Sequence, residues 1–152
     1  MTLLHQFCRL DSLTPRQVTT GMGGVAKLNM KWSYLSSETR QDLLNALDKA
    51  VRFLNDREVA NLLHTLSKLQ ISWKDLSSSI QEGLLGSFVM HSKALVSEQG
   101  SMAIYALGLI GLQKANLDAK VIQNIFSVAI LVLSESSVST VREVNQQVRL
   151  KQ

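Results

Sequence analysis

The chain has 152 residues, 45% of them hydrophobic, enough to bury one core and too apolar for a disordered segment. Aromatic residues at 5% and a single proline argue against a β-sandwich of this size and in favour of helices. The net charge of +4 is compatible with an RNA neighbourhood without requiring one.

Residues Met1 to Leu10 carry Arg9 and no acid before Asp11. Two readings fit this stretch, an ordinary amphipathic helix over 2–10 and the remnant of an organelle transit peptide; the helix is the simpler one. Cys8 is the only cysteine, which forbids an internal disulfide and suits a reducing compartment. Next, Thr14-Pro15-Arg16-Gln17 places a capping threonine before a proline, with glutamine positioned to close a capping box, so a helix over 15–28 is expected. Leu43, Leu44 and Leu47 lie on one face of a helix over 37–54. Asn55-Asp56-Arg57-Glu58 repeats the capping logic and opens a helix over 56–69. Ser72-Trp73-Lys74-Asp75 predicts another start, for a helix over 73–93. Ser97 with Glu98 opens 98–112, an apolar segment covers 117–133, and Thr140 with Glu143 opens a terminal helix over 140–150. The longest apolar run, Ile125 to Leu133, is broken by Ser127 and falls far short of a membrane span.

These elements repeat. Arg16-Gln17-Val18 aligns with Arg57-Glu58-Val59 at an offset of 41, and the match continues through Met22 and Leu63, Lys27-Leu28 and Lys68-Leu69, and Met30 and Ile71. Trp32 and Trp73, the two tryptophans of the chain, keep the same offset, as do Leu35 and Leu76. The helices between them obey nearly the same period: Leu3-Leu4 with Phe7, Leu43-Leu44 with Leu47, Leu84-Leu85 with Phe88, and Ile125-Phe126 with Ala129. The expected fold is all-α, an α-solenoid of roughly three to four helical hairpins in one domain. Its divisions are a half-repeat at 2–10, repeats at 14–54, 55–93 and 97–133, and a terminal helix at 140–150. The tryptophans are expected to pack at the turns between paired helices; exposed platforms for base stacking are the alternative.

The string Val59-Ala60-Asn61-Leu62-Leu63-His64-Thr65-Leu66-Ser67-Lys68-Leu69 resembles the octotricopeptide and heptatricopeptide repeats. Met102-Ala103-Ile104-Tyr105-Ala106-Leu107-Gly108-Leu109 is similar to their alanine- and leucine-rich first helix. The resemblance spans about residues 14 to 133. It implies an organelle RNA-binding protein or a part of an organelle ribosome, with the first helix of each pair lining the ligand surface. The period here is a few residues longer than that family's, and no RAP-like segment is present, so an armadillo- or HEAT-like protein scaffold without RNA contact is the competing expectation.

Arg57, Asn61, His64 and Lys68 follow one another at steps of four, three and four, a polar stripe opposite Val59, Leu62, Leu63 and Leu66. Arg16, Thr20, Gly23 and Lys27 hold the same positions one period earlier. Arg16, Lys27, Arg57, Asn61, His64 and Lys68 are therefore the candidate RNA-binding residues: the cations for phosphate, Asn61 for a base edge and His64 for stacking or hydrogen bonding. A solvated helix face produces the same stripe without any ligand. Gly21, Gly23 and Gly24 have no lysine-serine pair and no preceding strand, and read as close-packing positions or a kink rather than a phosphate loop. His5, His64 and His91 share no metal-ligand spacing with Cys8. No nucleophile, base and acid arrangement accompanies the serines. The expectation is a protein without catalysis, cofactor, metal or small-molecule substrate.

The third repeat is apolar beyond the needs of one face. If Met102, Tyr105, Ala106, Leu109 and Leu112 turn to the core, Ile104, Leu107 and Ile110 point elsewhere. The segment after it, Val121 to Leu133, is apolar nearly all round. Between Ser79 and Ser134 three lysines (Lys93, Lys114, Lys120) balance three acids (Glu82, Glu98, Asp118), so the basic surplus lies elsewhere. Ile104, Leu107, Ile110, Val128, Leu131 and Val132 are accordingly the candidate protein interface, with the terminal helix folding back over the run as the simpler alternative. The expected role is a scaffold touching RNA (ribosomal RNA among the candidates) with its basic half and neighbouring proteins with its apolar half. The expected setting is a mitochondrial ribosome or RNA-processing complex, with plastid or cytoplasm as alternatives.

Overall fold

The structure is a computed structural model and describes residues 13–95, 97–113, 115 and 117–150; the expected half-repeat at 2–10 lies outside them. The described residues form six α-helices and no strand: α1 (Pro15–Lys27), α2 (Ser37–Ala50), α3 (Asp56–Leu69), α4 (Ser78–His91), α5 (Ser97–Leu109) and α6 (Ala119–Leu150). Single 3-10 turns at Trp32–Tyr34, Val51–Phe53 and Trp73–Asp75 link them. No described helix is long and apolar enough to cross a membrane.

The helix starts follow from local chemistry. The Gln17 amide donates to Thr14 Oγ1 at 3.3 Å, while Gln17 Oε1 accepts from the Thr14 amide at 2.8 Å. Asn55 and Glu58 make the same reciprocal pair at 2.9 and 3.0 Å. Each pair satisfies two amides that a helix leaves without an internal partner. Ser72 and Asp75 also close such a box, but over the 3-10 turn Trp73–Asp75. The helix proper begins at Ser78 under the Ser77 cap, not at residue 73 as the spacing predicts. The ends recur as well. Asn29, Gln70 and Gly111 all take positive φ (55°, 60° and 83°), each 41 residues after the last. Their amides bond back to Ala26, Ser67 and Gly108, terminating α1, α3 and α5 with a left-handed residue.

The terminal helix is where the division differs. Instead of a separate element at 140–150, α6 runs unbroken from Ala119 to Leu150, and no helix folds back over it. Ser134-Glu135-Ser136-Ser137-Val138-Ser139 offers neither glycine nor proline to stop a helix. The Ser134 hydroxyl donates to the Leu131 carbonyl at 2.9 Å, so it does not compete for the backbone as a cap.

α3 lies between α1 and α5 and packs along both, while α2 and α4 meet through the turn at Val51–Phe53. Its central place explains its wide apolar arc: Val59, Ala60, Leu62, Leu63, Leu66 and Leu69 are all fully buried. Trp32 and Trp73 occupy equivalent turns and are both buried, at 8% and 4% exposure. The Trp73 amide donates to the Ile110 carbonyl at 2.6 Å, tying that turn to the end of α5. Two glycines mark close approach. A Cβ on Gly83 would overlap the Val51 side chain, and one on Gly100 would lie 2.9 Å from Val128 Cγ1. In that space the Ser87 hydroxyl reaches the buried Val51 carbonyl at 2.6 Å. Replacing Ser87 with alanine strands that carbonyl and is expected to cost about 1–3 kcal/mol in urea unfolding.

Candidate functional site

A groove of about 560 Å³ runs between α1 and α3. Its α1 wall is made of small residues, Thr19, Thr20, Gly23, Gly24 and Ala26, with Lys27 and Asn29 at one end. The α3 wall carries the functional groups: Asn61, His64, Thr65 and Lys68. Four of the six candidate RNA-binding residues therefore line one cleft: Lys27, Asn61, His64 and Lys68. Arg16 and Arg57 do not line it; they sit exposed near the N-terminal ends of the same two helices.

The groove exists because α1 lacks side chains where α3 has them. A Cβ on Gly24 would meet nothing within 4 Å, and one on Gly23 would only touch Thr65 Oγ1 at 3.8 Å. This corrects the close-packing reading of Gly23 and Gly24: they leave space instead of filling it, and α1 continues through them. Since a mid-helix glycine costs about 0.5–1 kcal/mol relative to alanine, Gly24→Ala is expected to raise stability by that amount in urea unfolding.

The electrostatics of the cleft are one-sided. Lys27 and Lys68 bring two cations, and no acidic residue lines it. Both lysines lie in the last turn of their helices, where the exposed carbonyls favour a positive charge. His64 is half-buried and Asn61 exposed, so an amide and an imidazole edge stand between the cations. The Thr19 hydroxyl donates to the Arg16 carbonyl at 3.1 Å, leaving its lone pairs toward the groove side of the chain's polar groups. Among the described residues no three His, Cys, Asp or Glu side chains converge as metal ligands would.

The candidate protein interface needs correction. Leu107, Ile110 and Val128 are 3%, 2% and 1% exposed and belong to the core. Ile104 and Val132 are half-buried against that core, and only Leu131 is exposed. Tyr105 and Leu109, expected inside, are instead exposed at 67% and 58%. The reason is register: Leu107 and Ile110 lie 41 residues after Leu66 and Leu69, both fully buried, and they bury in the same way. Gly100, Ala103 and Ala106 are small enough to bring α5 close, so the longer side chains beside them close the core. The exposed apolar surface therefore consists of Tyr105, Leu109, Phe126, Ile130, Leu131 and Leu133. The repeat offset applied strictly to α5 would have found Tyr105 and Leu109, because it places them opposite the polar His64 and Lys68.

Comparison of the chain with protein-family models, curated proteins and solved structures finds no match.

Proposed function

We propose that this protein is a non-catalytic α-solenoid of helical-hairpin repeats that binds single-stranded RNA along the groove between α1 and α3. The supporting observation is the convergence of Lys27, Lys68, Asn61 and His64 on one cleft that no acidic residue lines. In this reading the lysines hold phosphates, while Asn61 and His64 meet a base in the space left by Gly23 and Gly24. The recurring left-handed turns and the paired tryptophans favour the solenoid description over an irregular bundle. A mitochondrial ribosome or RNA-processing complex is the proposed setting, on the resemblance of the α3 and α5 strings to organelle RNA-binding repeats.

The test is binding of a short fluorescent single-stranded RNA across a salt series. Each lost phosphate contact removes about 0.7 from the slope of log affinity against log salt, so Lys27→Ser with Lys68→Ser is expected to lower it by about 1.4. Adding Arg16→Ser and Arg57→Ser lowers it further if those arginines extend the track beyond the cleft. An unchanged slope in the quadruple variant overturns the reading. Absence of RNA binding by the unaltered chain leaves the protein-binding scaffold, which the exposed Tyr105, Leu109 and Phe126 favour.

A further inference from the structure

We infer that two copies of this chain pair through the open edge formed by α5 and α6, as a two-fold dimer. The inference rests on the helix packing and not on RNA binding.

Successive helices of the α1, α3, α5 layer present one stripe toward the next helix. On α1 it is Thr19, Gly23 and Ala26; on α3 it is Ala60, His64 and Ser67, at the same spacing of four and three. Thr19 is 7% exposed and Ala60 is fully buried, because α3 and α5 respectively cover them. On α5 the equivalent stripe is Ser101, Tyr105 and Gly108, and all three are exposed. The second layer changes in step. Leu85 and Val89 of α4 are half-buried, whereas Phe126 and Ile130 of α6, 41 residues later, are 65% and 64% exposed. The last helix of each layer thus carries, uncovered, the face that its predecessors bury against a helix.

Two features select a second copy as the occupant. First, the α5 stripe is self-complementary: one large knob, Tyr105, is flanked a turn away on either side by the small residues Ser101 and Gly108. A Cβ at Gly108 would meet nothing within 4 Å, so that hole is open. In an antiparallel pair each tyrosine seats beside the small residues of the opposite helix, at a separation like that of other packed helices. Second, none of Ser101, Tyr105, Gly108, Phe126 and Ile130 is charged. A two-fold axis sets every group near an equal group of the partner, so a charged stripe would repel itself where this one does not.

The experiment is sedimentation equilibrium of the 152-residue chain at micromolar concentrations, where a mass twice the 16.8 kDa of one chain is expected. Gly108→Leu fills the hole without touching the chain's own core, and Tyr105→Lys sets two cations together. Each is expected to raise the dimer dissociation constant by about 30-fold or more with unchanged helical circular dichroism. Tyr105→Glu is expected to do the same alone, while an equimolar mixture of Tyr105→Lys and Tyr105→Glu regains dimer through opposite charges near the axis. A monomeric unaltered chain overturns the inference. So does a dimer indifferent to both substitutions, and so does a mixture of the charged variants that stays monomeric.

Discussion

Trp73→Ala is expected to destabilise the protein by about 3–5 kcal/mol, the range for removing a buried large aromatic side chain. The indole is 4% exposed at the turn joining α3 to α4. Its backbone is held from two sides: its amide donates to the Ile110 carbonyl at 2.6 Å, and its carbonyl accepts from Gln81 Nε2 at 2.8 Å. Gln81 Nε2 also donates to the Leu76 carbonyl at 3.0 Å, so the turn has little freedom to collapse into the vacated space. A void that cannot close carries both the lost transfer energy and a cavity term. For a chain of this size the loss corresponds to a fall in Tm of about 10 °C, read by thermal circular dichroism. Trp32→Ala should cost less. Its ring is 8% exposed, and the Arg40 guanidinium 6.0 Å from its centroid lies on a flexible stem able to move into the gap. Equal and small effects from both substitutions would contradict the anchoring role given to Trp73.

Leu107→Lys and Leu109→Lys, two residues apart on α5, are expected to differ by about 3–5 kcal/mol. Leu107 is 3% exposed, so its lysine must leave a charge uncompensated in the core or lose its proton to be accommodated. Leu109 is 58% exposed at the end of its helix, where a cation meets water and the terminal carbonyls favourably. Urea midpoints at neutral pH measure the difference. Against a total stability of about 5–15 kcal/mol for a typical domain, the first variant loses a large share and the second almost none. The pair also separates the two placements of α5. If Leu107 formed an external interface, its lysine variant would stay stable and lose only association.

What the sequence by itself determined here was local. The capping boxes at Thr14 and Asn55 act within four residues, so their composition is sufficient to start α1 and α3. The left-handed turns at Asn29, Gln70 and Gly111 and the buried tryptophans follow the 41-residue offset, because each repeat solves the same turn with the same contacts. The polar stripe of α3 was equally legible, since its apolar positions leave one face for Arg57, Asn61, His64 and Lys68. Tertiary structure decided the rest. α5 is apolar on more than one side, so periodicity does not choose which side is inward; the close approach permitted by Gly100, Ala103 and Ala106 does, and it buries Leu107 and Ile110 while turning Tyr105 out. The groove is a property of two helices together. Gly23 and Gly24 read as packing positions in one helix, and become an opening only when α3 stands beside them with Asn61, His64 and Lys68 along the far wall. A side chain's role is set by what lies across from it, and that neighbour is 41 residues away in the chain.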